Sequence, residues 1–257
     1  MKTSELHPGR AALFVAIIVV SVLLWDSPVL LPFKLLAVMG HETGHALAAL
    51  LVGGSVDRVS LGLDQGGQCL SRIPEGFFAK VLVFSAGYVG SSIISVLLLF
   101  FSFRVSGLAS SKPRRFELGR VLLGAAAVWL GAMGLFYGRD LFTLVFALVM
   151  GALFAAGAKF LPRGAVTALN VFIASFTALY AVMDLKDDLW NSAVRSQSAA
   201  QRLANVTLVP AIVGAALWTL ISVALLLAGA WQALTASPAR ADVTLPGVGS
   251  AAQPAAR

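Results

Sequence analysis

Apolar positions in this chain come in long unbroken runs, several of which approach or exceed the ~20 residues that cross a bilayer's hydrocarbon core. The pattern predicts about seven spans: Ala11–Trp25, Val29–Val52, Phe77–Phe103, Arg120–Tyr137, Leu141–Phe160, Ala165–Met183 and Leu208–Leu234. Gly138-Arg139-Asp140 and Leu161-Pro162-Arg163-Gly164 read as turns between packed helices. Gly87, Gly90, Gly124, Gly131, Gly134, Gly151 and Gly157 fall inside spans, where small residues let helices approach closely. Two segments break the pattern. Ser55–Ile73 alternates, turns at Asp64-Gln65-Gly66-Gly67 and alternates again, which predicts a β-hairpin. Asp184–Asn205 is polar and carries Asp184, Asp187 and Asp188. The expected architecture is an all-α polytopic membrane protein with a short β-hairpin. Residues 1–234 form one integral membrane domain, and 235–257, rich in alanine, proline and glycine, form a disordered tail.

Composition agrees. Hydrophobic residues make up 58% of the 257 and charged residues 12%, against roughly a quarter charged in soluble domains. The net charge of +7 does not imply nucleic acid, because basic residues lie between apolar runs. Arg104, Lys112, Arg114, Arg115 and Arg120 flank two spans and suit anionic lipid headgroups. A single cysteine, Cys69, excludes an intrachain disulfide framework and reads as inert rather than as a ligand. Lys2 and Arg10 precede an apolar run, but Trp25-Asp26-Ser27-Pro28 lacks a small-x-small cleavage site, so an uncleaved first span is expected.

Chemistry is concentrated in the second span. His41-Glu42-Thr43-Gly44-His45 places two imidazoles one helical turn apart, with a carboxylate beside them. With three histidines and four glutamates in the chain, a chance match is expected about once in two thousand such sequences. Ionisable groups in a bilayer-length helix are costly and mark a functional site. A catalytic zinc takes three protein ligands and keeps one position open. If seven spans hold, the second and sixth cross in the same direction, so Asp184 can meet His41 and His45 near one face. Asp187 and Asp188, three and four residues on, are alternative ligands or acceptors that orient an imidazole. His7, Asp26, Asp57, Asp64 and Asp140 have no spacing that brings them to that depth.

Three islands carry a family resemblance: His41–Ala48, Gly53-Gly54 with the hairpin and Phe84–Ser92, and Tyr180–Asp188. Together they resemble the site-2-protease-like intramembrane zinc metallopeptidases, in particular their compact bacterial branch without PDZ domains. Better-known members differ at Tyr88 and Leu185, where they have a proline–asparagine region and an Asp-Gly pair. The resemblance implies a zinc metalloendopeptidase of the bacterial cytoplasmic membrane, with the hairpin and active-site mouth facing the cytoplasm. One Zn²⁺ would be held by His41, His45 and Asp184, with Glu42 as general base towards a zinc-activated water. Substrates would be membrane proteins or peptides, cleaved in or near transmembrane segments. Gly87 and Asn170 are candidate substrate contacts, and the hairpin offers strand edges for an extended peptide. Two other readings fit the composition: a catalytically inactive scaffold of the same fold, and a small ion-coupled transporter. Nothing in the pattern sets an oligomeric state.

Overall fold

A computed structural model describes residues 8–105, 118–190, 198–207 and 209–235. It is mostly helical. In chain order the elements are α1 (Pro8–Leu23), α2 (Leu31–Leu51), β1 (Ser55–Leu61), β2 (Gly67–Arg72), α3 (Phe77–Val105), α4 (Leu118–Ala132), α5 (Leu141–Phe160), α6 (Arg163–Trp190), α7 (Ala199–Thr207) and α8 (Ala211–Thr235). A 3-10 turn at Pro28–Leu30 enters α2, and a π turn at Met133–Tyr137 ends α4.

Among the described residues five helices are long and apolar enough to cross a membrane: α3, α4 with its π turn, α5, α6 as far as Asp184, and α8. The first two of the seven expected spans fall outside that set. Helix α1 has 16 residues, short for a bilayer. Helix α2 has 21 but carries Lys34, His41, Glu42 and His45. The sixth span agrees with its expected end at Met183, stopping at Asp184. The helix continues to Trp190, because no glycine or proline interrupts Asp184–Trp190, so Asp184 projects from a continuous helix. The tail from 236 onward, His7 and the side chains of Asp187 and Asp188 lie outside the described residues.

The expected hairpin is present as a two-stranded antiparallel sheet. Ser60 pairs with Gln68 and Leu61 with Gly67, with a bulge between Val56 and Arg58. Its turn is closed by the Asp64 carboxylate, which accepts from the Gly66 N–H at 3.1 Å, and Gln65 takes a positive φ of 69°. Helix α2 ends at Gly53, whose φ of +79° is open to glycine without strain, and the Gly54 N–H bonds back to the Ala49 carbonyl at 2.9 Å. That reversal lays the hairpin against the helix it has just left.

Helix α2 sits at the centre, packed by α3, α6 and both strands. Leu35, Leu36, Val38 and Met39 are buried in the main core with Val59, Leu61, Phe176 and Tyr180. Gly44 permits a close crossing with α3: a Cβ there would stand 2.5 Å from the Ala86 carbonyl oxygen and 3.3 Å from the Gly87 Cα. Strand β1 is secured on its outer side. Its Leu61 N–H donates to Thr143 Oγ1 at 2.8 Å, and Val59 bridges to Gly138. Strand β2 pairs only with β1 among the described residues, which leaves its other edge towards the open side of α2.

Candidate metal centre

Helical spacing puts His41 and His45 on one face of α2, and their Nε2 atoms stand 3.0 Å apart. Two nitrogens bound to one zinc at about 2.0–2.1 Å each stand roughly 3–3.4 Å from one another. His45 Nδ1 lies 2.6 Å from the Val83 carbonyl oxygen. A carbonyl only accepts, so Nδ1 carries the hydrogen and Nε2 keeps its lone pair. An imidazole lone pair facing another ring nitrogen at 3.0 Å needs a proton or a cation between them.

Helix α3 leaves open space beside the pair. A Cβ at Gly87 would overlap the Nε2 atoms of both His41 and His45. The missing side chain therefore leaves an atom-sized gap shared by the two nitrogens, and the pair fits a borderline-soft divalent metal. Tyr88, the next residue, sets its ring edge-on to His41 with centroids 4.5 Å apart and stacks on Trp218 at 5.2 Å. On the other side Trp129 donates from Nε1 to Thr43 Oγ1 at 3.1 Å, tying α4 to the same turn of α2.

Glu42 is buried and accepts a hydrogen bond from the Cys69 backbone amide on β2. That contact requires Gly67, where a Cβ would meet Glu42 Oε1 at 2.6 Å and also overlap Val38. The Cys69 thiol is itself pushed up to about 12, first by burial and then by the Glu42 charge.

Asp184 reaches the site from α6, as the spacing argument requires, but it meets His41 at the ring's far nitrogen. Its Oδ2 is 3.7 Å from Nδ1. No group of three metal-capable side chains converges among the described residues. Asn170 commits its amide to helix packing, donating to the Gly119 and Val166 carbonyls at 3.0 and 2.9 Å. Gly87 belongs with the imidazoles.

These groups border a cleft of about 770 Å³ formed by α2, the hairpin, α3, α6 and α7, with His41, Glu42, His45 and Asp184 on its walls. Arg202 on α7 also lines it, and its charge acts on Glu42, His45 and Cys69. Sequence reasoning missed Arg202, because the Asp184–Asn205 segment reads as an undifferentiated polar stretch. The strongly amphipathic Ala199–Thr207 was the available signal that it forms a packed helix.

The family profile described as peptidase M50B-like matches residues 14–229, most of the chain and every element of the site. The chain belongs to this family. It is a site-2-protease-type relative, and no PDZ domain is matched. No curated protein and no solved structure matches the chain. A membrane peptidase-like fold is thereby established, and the HExxH helix sits inside the matched region. The five candidate spans and the family together make this an integral membrane protein.

Proposed function

We propose that the chain is an intramembrane zinc metalloendopeptidase that hydrolyses peptide bonds in or near transmembrane segments of membrane proteins. One observation carries the reading: two imidazole nitrogens face each other across the gap left by Gly87, with a buried carboxylate one residue away. His41, His45 and Asp184 would hold the metal. Asp184 is the proposed third ligand because a catalytic zinc takes three protein groups, and its carboxylate, 35% exposed, stands on the Nδ1 side of His41 at 3.7 Å. Zinc, when bound there, supplies Lewis acidity that polarises a carbonyl and acidifies a water.

The remaining work falls to the chain's own groups. Glu42 takes a proton from the attacking water and returns it to the departing amine. The Cys69 amide keeps the carboxylate aimed into the cleft rather than along the helix. Val83 fixes the tautomer of His45. Beside Glu42 runs the outer edge of β2, from Gly67 to Ser71, which pairs with no further strand among the described residues and, apart from the Cys69 amide bonded to Glu42, suits an unwound substrate held in extended form by β-augmentation. A helix hides its carbonyls in its own hydrogen bonds, so that unwinding must precede attack. Arg202 places positive charge at the cleft mouth, suited to a carbonyl oxygen that becomes anionic. Helices α1 and α2 would complete seven crossings in a bacterial cytoplasmic membrane.

The test uses purified protein in liposomes with a fluorogenic peptide containing an apolar helical segment. The parent cleaves it, a chelator stops cleavage, and added zinc restores it. Glu42→Gln retains zinc but cleaves about 10²–10⁴-fold more slowly. Cleavage that survives metal removal, or a Glu42→Gln variant as active as the parent, contradicts the proposal. Proton- or metal-coupled flux without cleavage would identify a transporter instead.

A further inference from the structure

The His41–Asp184 pair is a wall between two cavities of opposite character. On one side lies the polar cleft. On the other is a second cavity of about 330 Å³, whose walls include Leu36, Leu98, Leu123, Trp129, Phe154 and Ile173. His41, Tyr180 and Asp184 border both. The apolar cavity exists because α4 leans on α5 and makes only sparse contact with α2 and α3. The Trp129–Thr43 hydrogen bond pins α4 to α2 beside it. Outward-facing residues of α3 and α4, including Ile94 and Val128, are exposed along the same helices, so in a bilayer this side of the molecule meets lipid.

We infer that this apolar cavity is a specificity subsite that receives a large aliphatic or aromatic side chain of the substrate, adjacent to the scissile bond. The inference rests on the peptidase reading and adds to it which residues are cleaved. Its argument is one of position and chemistry. His41 and Asp184 line this cavity as well as the polar cleft, so a group filling it stands beside two of the residues proposed to hold the metal. Its walls offer almost no polar atoms, so a charged or amide side chain there would lose its hydration without replacement. A substrate segment that lies in the bilayer presents such apolar side chains from the side on which the cavity lies. Water reaches the reacting bond from the opposite, polar cleft.

Gly40 gives a direct handle. It lines the cavity, and a Cβ built on it meets nothing within 4 Å, so a larger residue there grows into empty space. Ala125 lines the cavity from α4, away from the metal motif. The experiment measures kcat/KM for peptides that carry Ala, Val, Leu or Phe beside the cleaved bond, with the parent, Gly40→Leu and Ala125→Leu. The parent should favour Leu or Phe over Ala by at least about tenfold, as expected for filling an apolar pocket. Each variant should lower that ratio by about tenfold. In parallel, a peptide bearing a photoactivatable leucine analogue beside the scissile bond is irradiated with the Glu42→Gln protein. Crosslinks should fall on α4 or on Ile173.

A parent that cleaves all four peptides equally, or variants that slow all of them by one factor, overturns the inference while leaving the peptidase reading intact. Crosslinks confined to the hairpin overturn it as well. Co-purifying lipid lost from Gly40→Leu with no change in peptide preference makes the cavity a lipid site and overturns it too. If the parent cleaves nothing, crosslinking alone decides where the apolar side chain binds, and the failure belongs to the peptidase reading.

Discussion

At the scale of single residues, Gly87 makes the sharpest prediction, because its role depends on an atom it lacks. Gly87→Ala would place a methyl group where the two Nε2 atoms converge. Zinc content should fall to a small fraction of one per chain while the helical circular dichroism signal is kept. A variant with full zinc would show that the metal sits elsewhere. Asp184→Asn separates the two positions available to that side chain. As a ligand its loss should remove most bound zinc, whereas as an acceptor for His41 it should weaken binding by about 10–100-fold. The imidazole pair and Glu42 were legible in the sequence because i, i+1 and i+4 on a helix is a local relation. Gly87 was legible as one small residue among seven within predicted spans and as a candidate substrate contact, but not as a neighbour of the imidazoles. Its function arises where α3 crosses α2, and spacing along one chain does not encode which residues meet at a crossing.

Among the elements, the hairpin was readable from its alternation and its Asp-Gln-Gly-Gly turn, but its purpose was not. Contact between β2 and Glu42 depends on the reversal at Gly53 and on the bare Cα of Gly67. Gly67→Val should push the strand off α2, free Glu42 from the Cys69 amide and cut cleavage by about tenfold or more, with zinc unchanged. Equal activity would mean that the strand does not orient the carboxylate. Gly44→Val tests the α2–α3 crossing. Its branched side chain meets the Ala86 backbone, and overpacking of this kind costs about 1–3 kcal/mol, read as a lower midpoint of thermal unfolding in detergent. An unchanged midpoint would contradict so close an approach of the two helices. The helical spacing of Asp184, Asp187 and Asp188 was readable at the end of α6, because Asp184–Trp190 is polar but lacks a helix breaker and stays helical.

The whole molecule places a polar cleft and an apolar cavity on either side of one His–Asp pair, and a hydrolase that works on lipid-embedded chains needs such a separation of water from substrate. Hydropathy alone predicted about seven crossings, of which five helices meet the length and composition of a span. Helix α2, among the seven, falls outside that set because the polar groups that make the site also break its apolar run. The protein should stay in the membrane fraction after an alkaline carbonate wash; release by the wash would contradict a polytopic architecture. The most direct measurement of the central claim is X-ray absorption at the zinc edge on purified protein, beside the His45→Ala variant. About one zinc per chain is expected, with scattering from two imidazoles and one carboxylate oxygen at about 2.0–2.2 Å, and loss of the metal in the variant. A parent without zinc, or a zinc whose imidazole scattering survives His45→Ala unchanged, would contradict it.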